Sequence, residues 1–300
     1  MERYLEIGIV YPMIYPISNK EDNLKNIDTM SKDKFFSILE IGKVEKGIES
    51  KILDSINNSK MKVVYSIIGD LITKKLNLNS LNDEIRKKSV EFVKIELLNA
   101  KKYNAKYLTI ISGEFMEEKV STHMNLLEQS LLEIIDYSKK IDGPVVLLEA
   151  FDSKIDKKVL IGSNKLAKEL FEKINQEKIG LLVDLSHIPM LNEDIEETIY
   201  ELGKYIKHVH IGNTVLNKES FLYGDLHPRF GHEDGENDTA EIKRFLKSLI
   251  KIGYINKKKK ATLSFEVKPY EDEESEVIIA NCKRSLRLAW LDCLKEGELI

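Results

Sequence analysis

Between residues 144 and 184 the chain reads PVVLLE (Pro144–Glu149), then Gly162-Ser163-Asn164 ahead of a helix, then IGLLVD (Ile179–Asp184). Runs this uniformly apolar are what a strand looks like when it is buried on both faces, as in a parallel sheet covered by crossover helices. The same alternation extends outward in both directions. Apolar, β-branched runs recur at Leu5 to Tyr11, Phe35 to Ile41, Met61 to Ile68, Tyr107 to Ser112, Pro144 to Glu149, Ile179 to Asp184, Ile206 to Ile211 and Ala261 to Glu266. Between them lie stretches with helical spacing. From Ser89 to Tyr103, Val90, Val93, Leu97, Leu98 and Ala100 share a stripe; from Leu126 to Lys140, Leu127, Leu131, Leu132 and Ile135 do so. Eight β-α units with no Gly/Ser-rich linker predict one (β/α)8 barrel spanning 1–300 as a single domain. An open doubly wound sheet is the competing fold. It lacks its phosphate-binding signature, because Ile9-Val10-Tyr11-Pro12 stands where Gly-x-Gly-x-x-Gly would follow the first strand.

Composition narrows the function classes. With 42% hydrophobic and 32% charged residues, the 300-residue chain can bury a large core and is neither a disordered polyelectrolyte nor a fibre. Forty-six basic against fifty acidic side chains leave a net charge of -4, which offers no global attraction to nucleic acid. No apolar run reaches membrane-spanning length, and Glu2 and Glu6 break any signal-peptide pattern, so a cytoplasmic location is expected. Cys282 and Cys293 are eleven apart on one expected helix, too far to bridge each other. That closing helix, Val277 to Leu294, carries Ile278, Ile279, Cys282, Leu286, Ala289, Trp290 and Cys293. Its surplus of apolar residues leaves room for contact with a second copy of the chain. The run Lys257 to Lys260, just ahead of the eighth strand, reads as a solvated loop at the barrel floor.

In such a barrel the chemistry sits at the C-terminal ends of the strands. Strand five ends in Glu149, strand six in Asp184 with His187 three residues on, strand seven in His208-Val209-His210, and strand eight in Glu266. Three carboxylates meeting at one rim would repel one another without a cation, and a divalent metal resolves that conflict. His208 and His210 point the same way by strand alternation, which does not separate them. His210, nearer the strand end, is assigned as the ligand, and His208 as a satisfied interior histidine. Glu149, Asp184, His210 and Glu266 make a predominantly hard donor set suited to Mn²⁺, Mg²⁺ or Co²⁺, with Zn²⁺ also admissible. A hydroxy-ketone chelated there would have its carbonyl polarised and its enediolate stabilised, with Glu149 and Glu266 moving protons on opposite faces. Tyr11, Tyr15, Glu40, Glu45, Ser66, Ser112 and Glu114 are further candidates to line the pocket. An ion pair with a barrel lysine would equally account for Glu40, which sits inside the second strand run.

The segments LLEAFD, VDLSH, HVHIGN and SFEVKPY, taken in this order, resemble the xylose-isomerase-like barrel superfamily of sugar and sugar-phosphate isomerases and epimerases, which also holds an apurinic endonuclease. The β/α rhythm matches over the whole chain and the specific motifs over its second half. The resemblance implies one divalent metal on Glu149, Asp184, His210 and Glu266, catalysis by Glu149, Glu266 and His187, and substrate contacts from His187 and Arg229. It implies an enzyme of carbohydrate metabolism whose partner is a small sugar or sugar phosphate. The loop 223–235 is similar to the endonuclease branch, where an Asp-x-His pair holds an extra zinc; Asp225 and His227 would fill those places with His187. That branch also needs histidines at the ends of strands three and four, where this chain has Tyr65-Ser66-Ile67 and Ile111-Ser112-Gly113. A metal-dependent phosphodiester hydrolase and a catalytically silent carbohydrate-binding barrel are therefore the competing readings.

Overall fold

Eight strands close into a parallel barrel in the computed structural model, which describes residues 1–16 and 18–297. They are β1 (Leu5–Val10), β2 (Ile38–Ile41), β3 (Lys62–Ser66), β4 (Tyr107–Ile111), β5 (Val145–Glu149), β6 (Ile179–Asp184), β7 (Ile206–Gly212) and β8 (Ala261–Glu266). Each pairs in parallel with the next, and β8 returns to β1 through Leu5 to Ile9. The crossovers carry α1 (Tyr11–Ile14), α2 (Lys20–Lys32), α3 (Glu49–Ser59), α4 (Ile68–Thr73), α5 (Asp83–Lys102), α6 (Val120–Lys140), α7 (Asn164–Ile174), α8 (His187–Met190), α9 (Ile195–Leu202), α10 (Thr239–Lys251) and α11 (Ser275–Lys295). This is the single-domain (β/α)8 barrel expected from the sequence.

Local chemistry sets the helix starts. Asn19, Asn82, Ser163 and Asp194 each accept hydrogen bonds from backbone N–H groups in the first turn of the helix that follows, and Asp238 forms a capping box with Glu241. Two of the expected strand runs are trimmed at the ends. Tyr11 opens α1 instead of ending β1, because Pro12 in the first turn needs no N–H partner there. Phe35 and Phe36 lie ahead of β2, packed against each other and against Phe265. The Lys257–Lys260 run is exposed and immediately precedes β8, as expected.

The core has two parts. The larger one fills the space between sheet and helices; a smaller one, Ile38, Val64, Tyr107, Leu147 and Leu182, plugs the barrel interior. Strand alternation makes the next inward residue toward the C-terminal mouth Glu40, Ser66, Thr109, Glu149 and Asp184 in turn. One layer is therefore apolar and the layer above it carries the chemistry. On β7 the register jumps from Leu181↔Ile206 to Leu182↔His208, so Lys207 is passed over and His208 and His210 fall level with Leu182 and Asp184. On α11, Cys282 and Cys293 are buried, while Val277, Leu288 and Leu291 remain exposed. No described helix is long and apolar enough to cross a membrane.

Candidate metal centre

The four strand-end residues converge. One donor atom from each of Glu149, Asp184, His210 and Glu266 lies within 4.8 Å of every other. His210 Nδ1 is 2.6 Å from Glu266 Oε2, 3.9 Å from Glu149 Oε1 and 4.0 Å from Asp184 Oδ2. Glu149 Oε1 and Asp184 Oδ2 are both buried and have no hydrogen-bond partner among the described residues, a costly arrangement for carboxylate oxygens. An ion bonded at about 2.0–2.3 Å would hold its ligands roughly 3–4.5 Å apart, so the donor spacing and the two orphaned oxygens both fit a divalent cation.

Electrostatics point the same way. Burial, reinforced by Glu266, pushes the Glu149 carboxyl well above the usual range, and burial raises Asp184 as well. Burial would also raise Glu266, but the imidazoles of His227 and His210 outweigh it and hold that carboxyl at about 2. His210 is itself lifted well above 6.5, its burial overcome by Glu40 and Glu266. Burial thus disfavours charge on Glu149 and Asp184 unless a cation offsets it.

A second group sits beside the first. Asp225 Oδ1 lies 3.0 Å from His187 Nε2 and 2.8 Å from His227 Nε2, and its Oδ2 is 2.9 Å from Lys157 Nζ. Burial disfavours charge on both imidazoles, yet Asp225 raises His187 to about 10 and His227 to about 9. The set the resemblance implied for an extra metal, His187, Asp225 and His227, is thus brought together as a hydrogen-bonded cluster closed by a lysine. The compact three-donor set here is Asp184, His187 and His227.

A cavity of about 400 Å³, within the range for small-molecule sites, opens over these residues. Glu40, Ser66, Glu149, His210, Asp225, His227 and Glu266 supply polar walls, and Met13, Ile68, Ile72 and Phe151 apolar ones. His187 does not line it: Nδ1 is 2.8 Å from the Ala150 carbonyl oxygen, and the ring lies behind Phe151 at 4.3 Å. Arg229 does not line it either, since its Nε donates to Glu273 Oε1 at 2.9 Å and ties two rim loops together. Tyr11, Tyr15 and Glu45 line a separate cavity near α2 and α3, and Ser112 and Glu114 a third. Among the described residues Glu40 meets no lysine; its partners there are His208 and His210. Lys157, Lys268 and Tyr270 also face the cavity, from loops whose course strand periodicity does not report.

The loop after β7 is pinned so that Asp225 and His227 reach the site. Asn213 Oδ1 accepts from the backbone N–H groups of Thr214 and Asn237, its amide donates to the Arg229 carbonyl, and Phe230 is fully buried. Gly212 makes room for the imidazole: a Cβ there would lie 2.7 Å from His227 Nδ1 and 2.8 Å from the Glu266 carbonyl oxygen. Gly212→Ala should therefore destabilise the fold by about 1–3 kcal/mol and weaken divalent-ion binding, as checked by thermal unfolding and metal titration on one preparation. Wild-type behaviour in both would contradict this packing.

The model of the xylose isomerase-like TIM barrel family matches residues 51–283. No curated protein matches the sequence. Among solved structures, D-psicose 3-epimerase from Clostridium cellulolyticum H10, solved with D-tagatose, superposes at a TM-score of 0.69 and 16% identity, covering 99% of this chain and 100% of that one. An L-ribulose 3-epimerase superposes at 0.73 and 17%, covering 96% and 97%. The IOLI protein with a bound zinc atom superposes at 0.71 and 16%, covering 95% and 98%. At these identities the structural likeness speaks for the fold, and the family match covers β3 to β8 with Glu149, Asp184, His210 and Glu266, leaving Glu40 and the cavity walls from β1 and α1 outside it. The chain belongs to the xylose isomerase-like TIM barrel family.

Proposed function

We propose that this protein is a divalent-metal-dependent epimerase or isomerase of a small sugar or sugar phosphate. The observation that carries the reading is the pair of orphaned oxygens, Glu149 Oε1 and Asp184 Oδ2, facing His210 and Glu266 at the base of the cavity. The epimerase and IOLI likenesses support it. Glu149, Asp184, His210 and Glu266 would hold Mn²⁺, Mg²⁺, Co²⁺ or Zn²⁺, which when bound supplies Lewis-acid polarisation of a carbonyl. Glu149 and Glu266 project from non-adjacent strands into one cavity, so a sugar carbon between them has a carboxylate on each side. One removes a proton from the carbon next to the carbonyl and the other delivers one from the opposite face, inverting that centre. Return of the proton to the neighbouring carbon gives aldose-ketose exchange instead. Asp225 and His227, held by His187 and Lys157, face the same space and would hydrogen-bond substrate hydroxyls.

The test is a panel of ketoses and aldoses, free and phosphorylated, incubated with Mn²⁺-loaded protein in D2O. The reading expects one of them to be converted with deuterium entering the carbon beside the carbonyl. Conversion of none, or cleavage of an abasic duplex by the same sample, would contradict it.

A further inference from the structure

We infer that Glu40 is a positioning residue for the metal centre: by accepting a hydrogen bond from His210 Nε2, it fixes the tautomer that presents Nδ1 as the metal-binding atom. The inference rests on the metal reading above. Glu40 stands on β2, across the barrel interior from β7, and is almost fully buried. Its Oε1 lies 3.0 Å from His210 Nε2 and 2.7 Å from His208 Nε2, and among the described residues no lysine or arginine is an ion-pair partner of it. An ionised carboxylate accepts and never donates, so both imidazoles must carry their proton on Nε2. His210 then turns its other nitrogen to Glu266, Glu149 and Asp184 at 2.6, 3.9 and 4.0 Å. A carboxylate behind the ligating imidazole orients the ring and makes its free nitrogen more basic.

Packing makes a purely structural role a poor account of Glu40. Its inward neighbour on the same strand is Ile38, in the apolar plug with Val64, Leu147 and Leu182, where an apolar residue would satisfy packing without desolvating a charge. His208 shares the load: its Nε2 also approaches Ser264 Oγ at 3.2 Å, while its Nδ1 is buried without a partner. The pair therefore burdens the interior, and the group that gains is His210.

The experiment reads affinity and tautomer, not turnover. Divalent binding would be measured with Co²⁺ on wild type, Glu40→Gln, Glu40→Asp and His208→Gln, and the imidazole ¹⁵N spectrum recorded on Zn²⁺-loaded protein. Glu40→Gln should weaken Co²⁺ binding about 10–100-fold, Glu40→Asp should recover part of the loss, and His208→Gln, which leaves His210 its partner, should change it less than Glu40→Gln does. In the wild-type spectrum His210 should carry its proton on Nε2 with zinc on Nδ1; this holds the idea to account even if Glu40→Gln does not fold. Zinc on Nε2, an ion seated between Glu40, His208 and His210, or equal affinity in wild type and Glu40→Gln would overturn it. If wild type binds Co²⁺ at Glu149, Asp184 and Glu266 but Glu40→Gln is unaffected, only this inference fails. If wild type binds none, the metal reading fails and takes this inference with it.

Discussion

Glu266→Gln should leave the barrel folded and lower turnover of a converted sugar by about 10²–10⁴-fold, the range typical of losing a positioned proton carrier. Glu266 is the most accessible of the four converging donors, with 16% of its side chain exposed, whereas Glu149 lines the same cavity at 2% and Asp184 is fully buried. An amide of the same shape neither accepts the proton from carbon nor returns it. It also removes the negative partner of His210 Nδ1, so divalent affinity should fall in the same protein. Steady-state rates at saturating Mn²⁺ separate the two losses, because saturation restores occupancy but not proton transfer. Near-wild-type turnover under those conditions would rule out Glu266 as a proton carrier.

Metal uptake should be steeply pH-dependent, tightening as pH rises. The donors bind a cation only when deprotonated, and in the free protein His210 keeps its proton well above pH 6.5 and Glu149 well above pH 4.5. Raising the pH removes these competing protons, and each proton displaced on binding makes the association constant climb about tenfold per pH unit. Between about pH 6 and 8 the affinity should therefore keep rising, because His210 holds its proton above the usual imidazole range. Calorimetry in buffers of different ionisation enthalpy would count the protons released, with at least one expected. A flat affinity across that interval would mean that His210 is not a ligand.

The barrel and its four converging donors were legible in the sequence for a common reason. Helix-covered parallel strands write their burial as continuous apolar runs, and the fold places chemistry where those runs stop, so Glu149, Asp184, His210 and Glu266 announce themselves by position. What sequence did not show depends on contacts across the barrel or between loops. Glu40 invites a lysine partner on general grounds, but closing eight strands brings inward side chains of β2 and β7 together across the interior and supplies two histidines instead. Lys157 reaches Asp225 only because the loops after β5 and β7 fold over the same mouth. Arg229 has the right charge on the right loop, yet Glu273 after β8 engages it at the rim. His187 follows β6 as the motif requires, but Phe151 and the Ala150 carbonyl keep it beneath the cavity wall.

If four side chains from the last four strands share one ion, anomalous scattering from a crystal equilibrated with Mn²⁺ will locate it. A single strong peak is expected about 2.0–2.4 Å from Glu149, Asp184, His210 and Glu266 together. A peak elsewhere with these four left unliganded, or no ordered ion at saturating Mn²⁺, would contradict it.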